Sequence, residues 1–499
     1  MPAREHAGEQ IEVDDPLTRA PDPESPNGTS APRRIDLAGF VSPPVVRIVL
    51  ACLALAALSA ALLPTVPSYD PWAWIVWGRE VVDPHLSFAT GGGPSWKPLP
   101  VLFTTVYGLF GGAAPTLWVI TARAGGLLAL VAAWRLGTRF AGWIAGLVAV
   151  LGVALTQDWF YYLFRGTSEP MLVGACLWAI DRHLSGKRGQ AFVLGVAAAL
   201  IRPEAWPFIV VYAIWLWFRE PQLRALIVVG SASIPALWFI PPWIGSGQPF
   251  LAASHAKSYN GHLGSHPSLE ALRRAADLQV LPVLIAAAVG VALAWFKDHD
   301  KVVLGLAGGA LAWIVLVIAM VIDGYPGLER FFLPAAAVIC VLAGIGVARV
   351  AMLAGGGAAT TAIAVVLIAI SIPLAWSRID TARAQKAVAD RAVRTLDELS
   401  AAVRTVGGHA GVFPCRSSFS AVNHGVQTAL AWKLHVTLGR VGTSLRHPGV
   451  LFIGPHNTID GGPAPVRVTP RVEQQLASVG GWRVYRVTRP GASNRCVGR

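Results

Sequence analysis

Charged residues are scarce in this sequence. They account for 14% of its 499 residues, whereas hydrophobic residues account for 54% and the mean hydropathy is +0.53. A soluble domain has about 25% charged residues, so this composition excludes an ordinary soluble protein and predicts a polytopic α-helical membrane protein. The net charge is +13, but the basic residues mostly lie in short loops between apolar runs, where they set the orientation of the spans. No nucleic-acid partner is therefore predicted.

Cysteine is also scarce, with five residues in the whole chain. Cys52, Cys176 and Cys340 lie inside apolar runs, where a thiol behaves as a small hydrophobic group. The spacing of the five cysteines matches no metal site. Cys415 and Cys496 lie in the polar C-terminal region, and an oxidising exterior favours a disulfide between them. The sequence has no convincing internal repeat.

The N-terminal region lacks apolar periodicity and is rich in proline and acidic residues. Such a segment cannot bury enough surface to offset the entropy of ordering it, so residues 1–44 are predicted to form a disordered cytoplasmic tail. Residues 45–63 form the first run that is long enough to cross a bilayer. Residues 99–110 are apolar but short, and a crossing there would place most later basic residues outside. The positive-inside rule therefore predicts an interfacial helix over residues 97–110.

Ten further apolar runs follow, and together with the first they predict eleven spans within a transmembrane domain of residues 45–376. The N-terminus is then cytoplasmic, and the outer-face loops are residues 64–115 and 244–280. Arg202-Pro203-Glu204 separates two short runs, as expected of a broken helix that lines a cavity. The ten runs are residues 116–135, 141–156, 170–184, 190–202, 203–218, 224–243, 281–296, 302–322, 331–349 and 357–376.

The polar residues 377–499 are predicted to form a small soluble α/β domain on the outer face, because helical and strand-like stretches alternate there. The predicted helices are residues 381–406, 427–434 and 472–478. The predicted strands are residues 411–413, 450–453 and 482–487.

Residues 69–98 combine acidic, basic and tryptophan side chains in one interfacial loop. Trp72, Trp74 and Trp77 predict a short helix on the membrane surface, because an indole has an apolar ring and a polar N–H group. The charged residues of this loop need a separate explanation. They include Asp70, Arg79, Glu80, Asp83 and Lys97.

Several charged residues that are far apart in sequence lie at outer loop ends in this topology. Ionisable groups at membrane depth are costly and usually mark function, so these residues are candidates for one shared cavity. The alternative is that each is a solvated loop charge. The set is Asp70, Lys97, Arg165, Glu169, Asp323 and Arg330.

The order of these motifs resembles a class of membrane enzymes. Asp70 after the first span, followed by Arg79-Glu80 and then by Lys97-Pro98, is similar to the first outer loop of lipid-dependent GT-C glycosyltransferases. The nearest resemblance is to bacterial aminoarabinose transferases and protein O-mannosyltransferases. It covers roughly residues 45–345 and continues at Arg123, Glu169-Pro170 and Glu329-Arg330.

This chain also departs from the pattern of that class. Pro71 stands where the relatives carry a second acidic residue, and Glu169 replaces an aspartate, which weakens any expectation of a bound metal. Arg202-Pro203-Glu204 resembles a motif of actinobacterial members, and the composition, rich in alanine, glycine and arginine, fits such a source. The C-terminal residues 377–499 resemble no family.

The resemblance implies transfer of a hexosyl or pentosyl group from a polyprenyl-phosphate donor to a glycan, lipid or protein acceptor of the cell envelope. It implies a single displacement that inverts the anomeric centre on the outer face of the plasma membrane. Asp70 is the expected general base, and Glu169 is expected to orient the acceptor or to assist a divalent cation, which is the one cofactor considered. Lys97, Arg330 and Arg165 are expected at the donor phosphate. The expected substrate contacts are Glu80, Arg202, Glu204, His255 and Lys257.

Two other classes of protein also place charges inside a membrane domain. A lipid or glycolipid transporter would need them, although such folds often consist of two related halves. A non-enzymatic envelope assembly factor would use the outer domain for binding alone. Activity with a lipid-linked sugar in reconstituted membranes separates the enzyme from both.

Overall fold

The computed structural model describes residues 43–258, 263–353, 355, 357–415, 418–445, 449–455, 462–467 and 472–488. The predicted tail, residues 1–44, lies outside this part except for Pro43 and Pro44, with which the first helix begins. The described α-helices are α1 (Pro43–Leu62), α2 (Tyr69–Val82), α3 (Pro98–Gly108), α4 (Ala114–Ala154), α5 (Trp159–Phe164), α6 (Glu169–Leu184), α7 (Arg188–Ile201), α8 (Trp206–Arg219), α9 (Arg224–Ser246), α10 (Leu251–Ser258), α11 (Pro267–Asp277), α12 (Leu281–Phe296), α13 (Lys301–Ile322), α14 (Leu333–Met352), α15 (Gly357–Thr405), α16 (Gly408–Val412) and α17 (Gln427–Lys433). The described strands are β1 (Phe419–Ala421), β2 (Val441–Gly442), β3 (Ser444–Leu445), β4 (Gly449–Ile453), β5 (Val466–Arg467), β6 (Val472–Val479) and β7 (Trp482–Thr488).

Each predicted span coincides with a helix or with part of one. The long helix α4 covers two of them, and its regular geometry breaks at Ala141 and Gly142, where Gly142 has a φ of 76°. Gly137 lies directly against the carbonyl group of Ala145. In a continuous helix these two residues would be about two turns apart and could not touch. The chain therefore reverses direction at Gly142, and the two halves of α4 form the antiparallel pair that the sequence predicts.

The number of membrane crossings stays a prediction. Among the described residues, six helices are long and apolar enough to span a bilayer, and a seventh results if α11 and α12, bent by 92°, count as one span. Helices α6, α7 and α8 have 16, 14 and 14 residues, which is short of the roughly 20 residues of a full span.

Contacts between helix ends define two opposite sides of the helical region. At one side, α6 begins with Glu169, which lies against Lys97 just before α3. At the other side, Arg139 of α4 donates a hydrogen bond to Ser185 just after α6, and Arg188 pairs with Glu220. Loops that are distant in sequence thus meet on the side of Glu169.

Small residues allow the helices to approach one another closely. Helix α14 is alanine- and glycine-rich, is buried along most of its length, and packs against α4 and α12. A Cβ atom at Gly346 would collide with the carbonyl oxygen of Ala286 in α12. Such contacts are typical of helices that associate within a membrane, where burial of apolar side chains gives little driving force.

Helix α2 differs from its predicted environment. The short helix itself is confirmed, but Trp74 and Trp77 are completely buried, and Trp72 packs against Trp432 of the C-terminal region. These tryptophans therefore contact protein, and the position of the helix on the membrane surface stays a prediction. The C-terminal region covers α2, and this tertiary contact has no signal in the local sequence.

Helix α15 extends from its apolar N-terminal half into the C-terminal region and packs against a five-stranded sheet with the order β2-β1-β4-β7-β6. Strand β1 is parallel to both of its neighbours, β2 and β4. Strand β7 is antiparallel to both of its neighbours, β4 and β6. The predicted strands at 450–453 and 482–487 and the helix at 427–434 correspond to β4, β7 and α17. The division into three domains stays a prediction.

Two local predictions in the C-terminal region are wrong. Residues 411–413 were expected to form a strand, but residues 411 and 412 are the end of helix α16. So short an apolar run does not distinguish a helix from a strand. Residues 472–478 were predicted to form a helix, but they form the edge strand β6. Their Glu, Gln, Leu and Ala residues favour a helix locally. Pairing of their backbone with β7 outweighs the local preference.

Two findings concern the cysteines. Cys415 is disulfide-bonded, and Cys496 lies outside the described residues, so the pairing of these two stays a prediction. Cys52, Cys176 and Cys340 are free thiols.

Candidate active site

Three helices begin on the same side of the helical region, and each carries a charged residue at its start. Asp70 lies in the first turn of α2, Lys97 directly precedes α3, and Glu169 is the first residue of α6. Pro98 and Pro170 occupy early positions of α3 and α6, where the fixed φ of proline suits the first turn. The free N–H groups of helix N-termini favour anions, so this side suits a negatively charged ligand.

Glu169 is the centre of the charged cluster. Its side chain is completely buried, and its Oε1 atom accepts a hydrogen bond from the guanidinium group of Arg202. The same oxygen lies 3.5 Å from Nζ of Lys97 and 3.9 Å from Nη1 of Arg330. A buried carboxylate is tolerated only with such partners, so Glu169 holds three basic side chains together.

Arg330 connects this buried centre to Asp70. Its Nη1 atom donates a hydrogen bond of 3.2 Å to Oδ2 of Asp70. The side chains of Asp70 and Arg330 are 21% and 29% exposed, whereas that of Glu169 has no exposed surface. Asp70 and Arg330 are thus the members of the cluster that a ligand reaches first.

Lys97 is held in a fixed position within the cluster. Its Nζ atom donates a hydrogen bond of 2.9 Å to Oγ of Ser168 and lies 4.9 Å from the centre of the Trp74 ring. Burial, reinforced by the charge of Arg202, lowers the pKa of Lys97 to about 8, although Glu169 opposes this shift. Lys97 therefore carries its charge at neutral pH but loses it in mildly alkaline solution.

The break between α7 and α8 is occupied by Arg202, Pro203 and Glu204. Besides Glu169, the Arg202 side chain lies 3.7 Å from Oε1 of Glu204 and packs over the ring of Phe331 at 4.4 Å. Tyr325 donates a hydrogen bond of 3.3 Å to the same oxygen of Glu204. Because Arg202 and Pro203 line a cavity, the broken helix has the setting predicted for it.

This cavity has a volume of about 1010 Å³ and lies between the helix starts and the C-terminal region. One part of its wall is polar and the other is rich in aromatic side chains. The predicted site residues on its wall are Asp70, Lys97, Arg202, His255, Lys257 and Arg330. Its apolar wall includes Ile201, Trp206, Trp238, Phe239, Phe250, Met320 and Phe331.

Lys257 and Asp323 form an exposed ion pair of 2.6 Å at the cavity, with half or more of each side chain exposed to solvent. His255 lies nearby, and its Nδ1 atom is 3.3 Å from the carbonyl oxygen of Pro94. Both basic residues come from α10, in the outer loop that was predicted to face the substrate. They form a polar rim rather than part of the buried cluster.

Four predicted site residues do not line the cavity. Glu169 and Glu204 lie behind the wall, so neither contacts a bound substrate directly in this arrangement. Arg165 is also buried away from the cavity, which does not support its predicted contact with the donor phosphate. Glu80 accepts a hydrogen bond of 2.9 Å from the backbone of Ala89, and burial raises its pKa to about 8. The predicted substrate contact of Glu80 is therefore not supported.

The C-terminal region supplies site residues that the sequence did not indicate. His424, Gln427 and Thr443 line the cavity opposite the helix starts. The ring of His424 stacks on Tyr69 with a centroid distance of 5.0 Å, and Tyr69 directly precedes Asp70. Tyr69 is predictable as a site residue because it is adjacent to Asp70 in the sequence, whereas nothing in the local sequence indicates His424.

The residues present do not fit a resident divalent cation. Among the residues that the structure describes, no three His, Cys, Asp or Glu side chains come together as metal ligands. The acidic residues on the cavity wall are Asp70, Asp323 and Glu329, and each already pairs with a basic side chain, Arg330, Lys257 and Arg274 respectively. Glu169, behind the wall, faces Lys97 and Arg202. Basic side chains thus supply the positive charge in this site.

Comparison with known proteins defines the fold. No protein-family model matches the chain, and no curated protein matches it in sequence. ArnT from Cupriavidus metallidurans bound to undecaprenyl phosphate has a TM-score of 0.56 at 14% identity, over 90% of this chain and 98% of ArnT. Its apo state has a TM-score of 0.54 at 14% identity, over 89% of this chain and 98% of ArnT.

An oligosaccharyltransferase from Archaeoglobus fulgidus, in complex with zinc and sulfate, has a TM-score of 0.46 at 14% identity. That overlap covers 79% of this chain and 62% of the archaeal one, and it is too weak to define a fold. An actinobacterial source stays a prediction. The chain has the fold of ArnT over most of its length, and the GT-C-like helical membrane fold with a small C-terminal sheet region, predicted from the sequence, is confirmed.

Proposed function

We propose that this protein transfers a sugar from a polyprenyl-phosphate donor to an acceptor in the cavity between the helix starts and the C-terminal region. One observation carries the proposal. Asp70 faces this cavity beside Arg330 and Lys97, in a chain that has the fold of a protein solved with undecaprenyl phosphate. A carboxylate beside two cations is the arrangement that transfer from a phosphate leaving group requires.

Three charged residues on the cavity wall, Asp70, Lys97 and Arg330, divide the reaction between them. The acceptor hydroxyl gives its proton to Asp70 while its oxygen attacks the anomeric carbon. The bond between that carbon and the phosphate oxygen breaks, and the phosphate leaves with the electron pair. Lys97 and Arg330 stabilise the charge that develops on it. One displacement of this kind inverts the anomeric centre.

Glu169 takes a different role from the one expected of it. Because it is buried and contacts Lys97, Arg202 and Arg330, it keeps the basic side chains at fixed positions. A preorganised set of charges does not need to rearrange during the reaction, which is the main source of electrostatic catalysis.

The apolar part of the wall suits the hydrocarbon chain of the donor. Trp206, Trp238 and Phe250 lie on this wall, and the fold places them on helices α8 and α9 and beside α10. A ligand with one charged and one hydrocarbon end matches a cavity with one basic and one apolar side. A nucleotide sugar has no such apolar part.

We place the reaction on the outer face of the plasma membrane, because the basic loops mark the opposite side as cytoplasmic. Nucleotide sugars are made in the cytoplasm and are too polar to cross the bilayer, so a lipid-carried donor is the available one. The acceptor is then a glycan, lipid or protein of the cell envelope.

The test uses the full chain in proteoliposomes with a polyprenyl-phosphate sugar. Asp70→Asn keeps the shape of the side chain but removes the proton acceptor, so we expect transfer to fall by roughly 10²–10⁴-fold while polyprenyl phosphate still binds. Asp380→Asn, an exposed position on α15 away from the cavity, is the matched control and should transfer normally.

Two results would contradict the proposal. One is near-normal transfer by Asp70→Asn. The other is efficient use of a nucleotide sugar in the absence of any polyprenyl lipid. Movement of the lipid across the bilayer without any transfer would favour the transporter instead.

A further inference from the structure

A second cavity, of about 770 Å³, lies outside the candidate active site. It is bounded by the end of α2, by the turn between α3 and α4, and by the C-terminal region. We call it the interfacial pocket. Its wall is formed by Trp72, Arg79, Val82, Asp83, Pro84, Gly108, Leu109, Gly111, Gly112, Pro115, Ser400, Val403, Arg404, Trp432, Lys433 and His435.

The charge of the interfacial pocket is predominantly positive. Arg404 is exposed on α15, and its side chain makes no hydrogen bond or ion pair with any described residue. Lys433 is half-buried beside Ser400. Asp83 is the single acidic residue among the described residues of the wall, and its two oxygens accept from His435 and from the backbone of His85. The carboxylate on the pocket wall is thus already engaged. Lys433 donates to Ser400 and is partly offset by the nearby charge of Asp397, whereas the Arg404 side chain is fully available for a ligand.

Arg79 adds a third positive charge at the base of the pocket. Its guanidinium group is buried, packs over the ring of Trp432 at 4.6 Å, and donates to the carbonyl groups of Trp432 and Val436. Carbonyl groups accept from both of its terminal nitrogens, and Glu80 and Asp83 offset only part of its charge. Its Nε atom is buried without a hydrogen-bond partner among the described residues.

An exposed apolar strip adjoins the basic pocket. Val106 is 54% exposed, Leu109 is 70% exposed and Phe110 is 61% exposed, and all three lie at the end of α3 or just after it. Leu109 lies on the wall of the pocket itself. A strip of this kind on a membrane protein is covered by hydrocarbon, so the pocket opens where the hydrocarbon meets the head groups.

We propose that the interfacial pocket binds the head group of an anionic phospholipid, whose acyl chains lie along the apolar strip of α3. The phosphate is held by Arg404 and Lys433 within the field of Arg79. Cations next to a bilayer attract anionic lipids, and a head group above a hydrocarbon surface matches the basic and apolar parts of this site.

The bound lipid would join two parts of the fold. Arg404 and Lys433 belong to α15 and α17 of the C-terminal region, whereas Leu109 follows α3. A lipid in the interfacial pocket therefore fixes the C-terminal region against the bilayer. This role does not depend on glycosyl transfer.

The experiment measures lipid binding to the full-length protein in neutral detergent by native mass spectrometry. Phosphatidylglycerol should bind more tightly than phosphatidylcholine. Arg404→Gln and Lys433→Gln should each weaken phosphatidylglycerol binding about fivefold, and the double variant roughly 25-fold, because each cation near a lipid surface contributes about 1 kcal/mol. Arg394→Gln, an exposed arginine on the same helix but outside the pocket, is the matched control and should not change binding.

Separate ligands distinguish the sources of the phosphate. Inorganic phosphate lacks the acyl chains and should not compete with phosphatidylglycerol at millimolar concentration.

Lys97→Met, which alters the candidate active site, should leave phosphatidylglycerol binding unchanged. Arg404→Gln alone keeps the test valid if Lys433→Gln disturbs folding, because the Arg404 side chain is exposed and makes no hydrogen bond or ion pair with a described residue.

Several outcomes would overturn the proposal. They are equal binding of phosphatidylglycerol by the parent and by Arg404→Gln, equal binding of the two phospholipids, effective competition by inorganic phosphate, and loss of phosphatidylglycerol binding in Lys97→Met. The last would place the lipid in the larger cavity.

Discussion

At the residue scale, the charge of Lys97 is set by its surroundings. Burial and Arg202 lower its pKa to about 8, so the ammonium group is charged below that pH and neutral above it. Because a charged lysine is expected to bind the donor phosphate, kcat/KM for the donor should fall as the pH rises through 8, by roughly tenfold at pH 9. The measurement is initial transfer rates at low donor concentration between pH 6.5 and 9.5.

Substitutions at Lys97 test the same residue in another way. An arginine stays charged throughout this range, so Lys97→Arg should lack the alkaline decrease while retaining part of the activity. Lys97→Met removes the charge at every pH and should weaken donor use more than Lys97→Arg does. An unchanged alkaline decrease in Lys97→Arg would assign it to another group.

At the scale of elements, the start of α2 is held by the C-terminal region. The hydroxyl group of Tyr69 donates a hydrogen bond of 3.0 Å to Oε1 of Gln427, and its carbonyl oxygen accepts one of 2.9 Å from Oγ1 of Thr428. These contacts position the helical turn that carries Asp70. The C-terminal region is therefore part of the site and not an appended module.

Tyr69→Phe removes the hydrogen bond to Gln427 and keeps the aromatic ring. The loss of a hydrogen bond of about 1 kcal/mol should lower kcat roughly fivefold, while the KM for the donor stays nearly unchanged. Tyr107→Phe is the matched control, because it removes a hydrogen bond of 2.6 Å to Thr121 away from the cavity. Equal effects of both substitutions on kcat would mean that Tyr69 only stabilises the fold.

At the scale of the whole molecule, the two sides of the helical region are expected to face different compartments. The exposed residues Lys187 and Arg391 lie on opposite sides in the predicted topology, with Lys187 in the cytoplasm. Cysteines introduced at these positions should be labelled by an impermeant thiol reagent from opposite sides of the membrane. The natural free cysteines, Cys52, Cys176 and Cys340, give the background in the parent protein. Labelling of both positions from one side would contradict the eleven-span topology.

The sequence alone was sufficient to predict the helical membrane fold and most of the charged cluster. Apolar runs become helices because their length and composition act locally, and the charges at their ends meet because successive helices reverse direction. Asp70, Lys97, Glu169 and Arg330 were therefore predictable as neighbours, and the structure brings them together.

Only the tertiary structure decided which of these charges face the cavity and what covers them. Whether a charge is buried or exposed depends on contacts between segments far apart in the sequence, as for Glu169 and Arg165, which are both buried off the cavity wall. The same reason explains the burial of Trp74, since the C-terminal region covers α2. His424 likewise belongs to the site although it lies more than 350 residues after Tyr69, on which its ring stacks. No periodicity or local motif in the sequence indicates this contact.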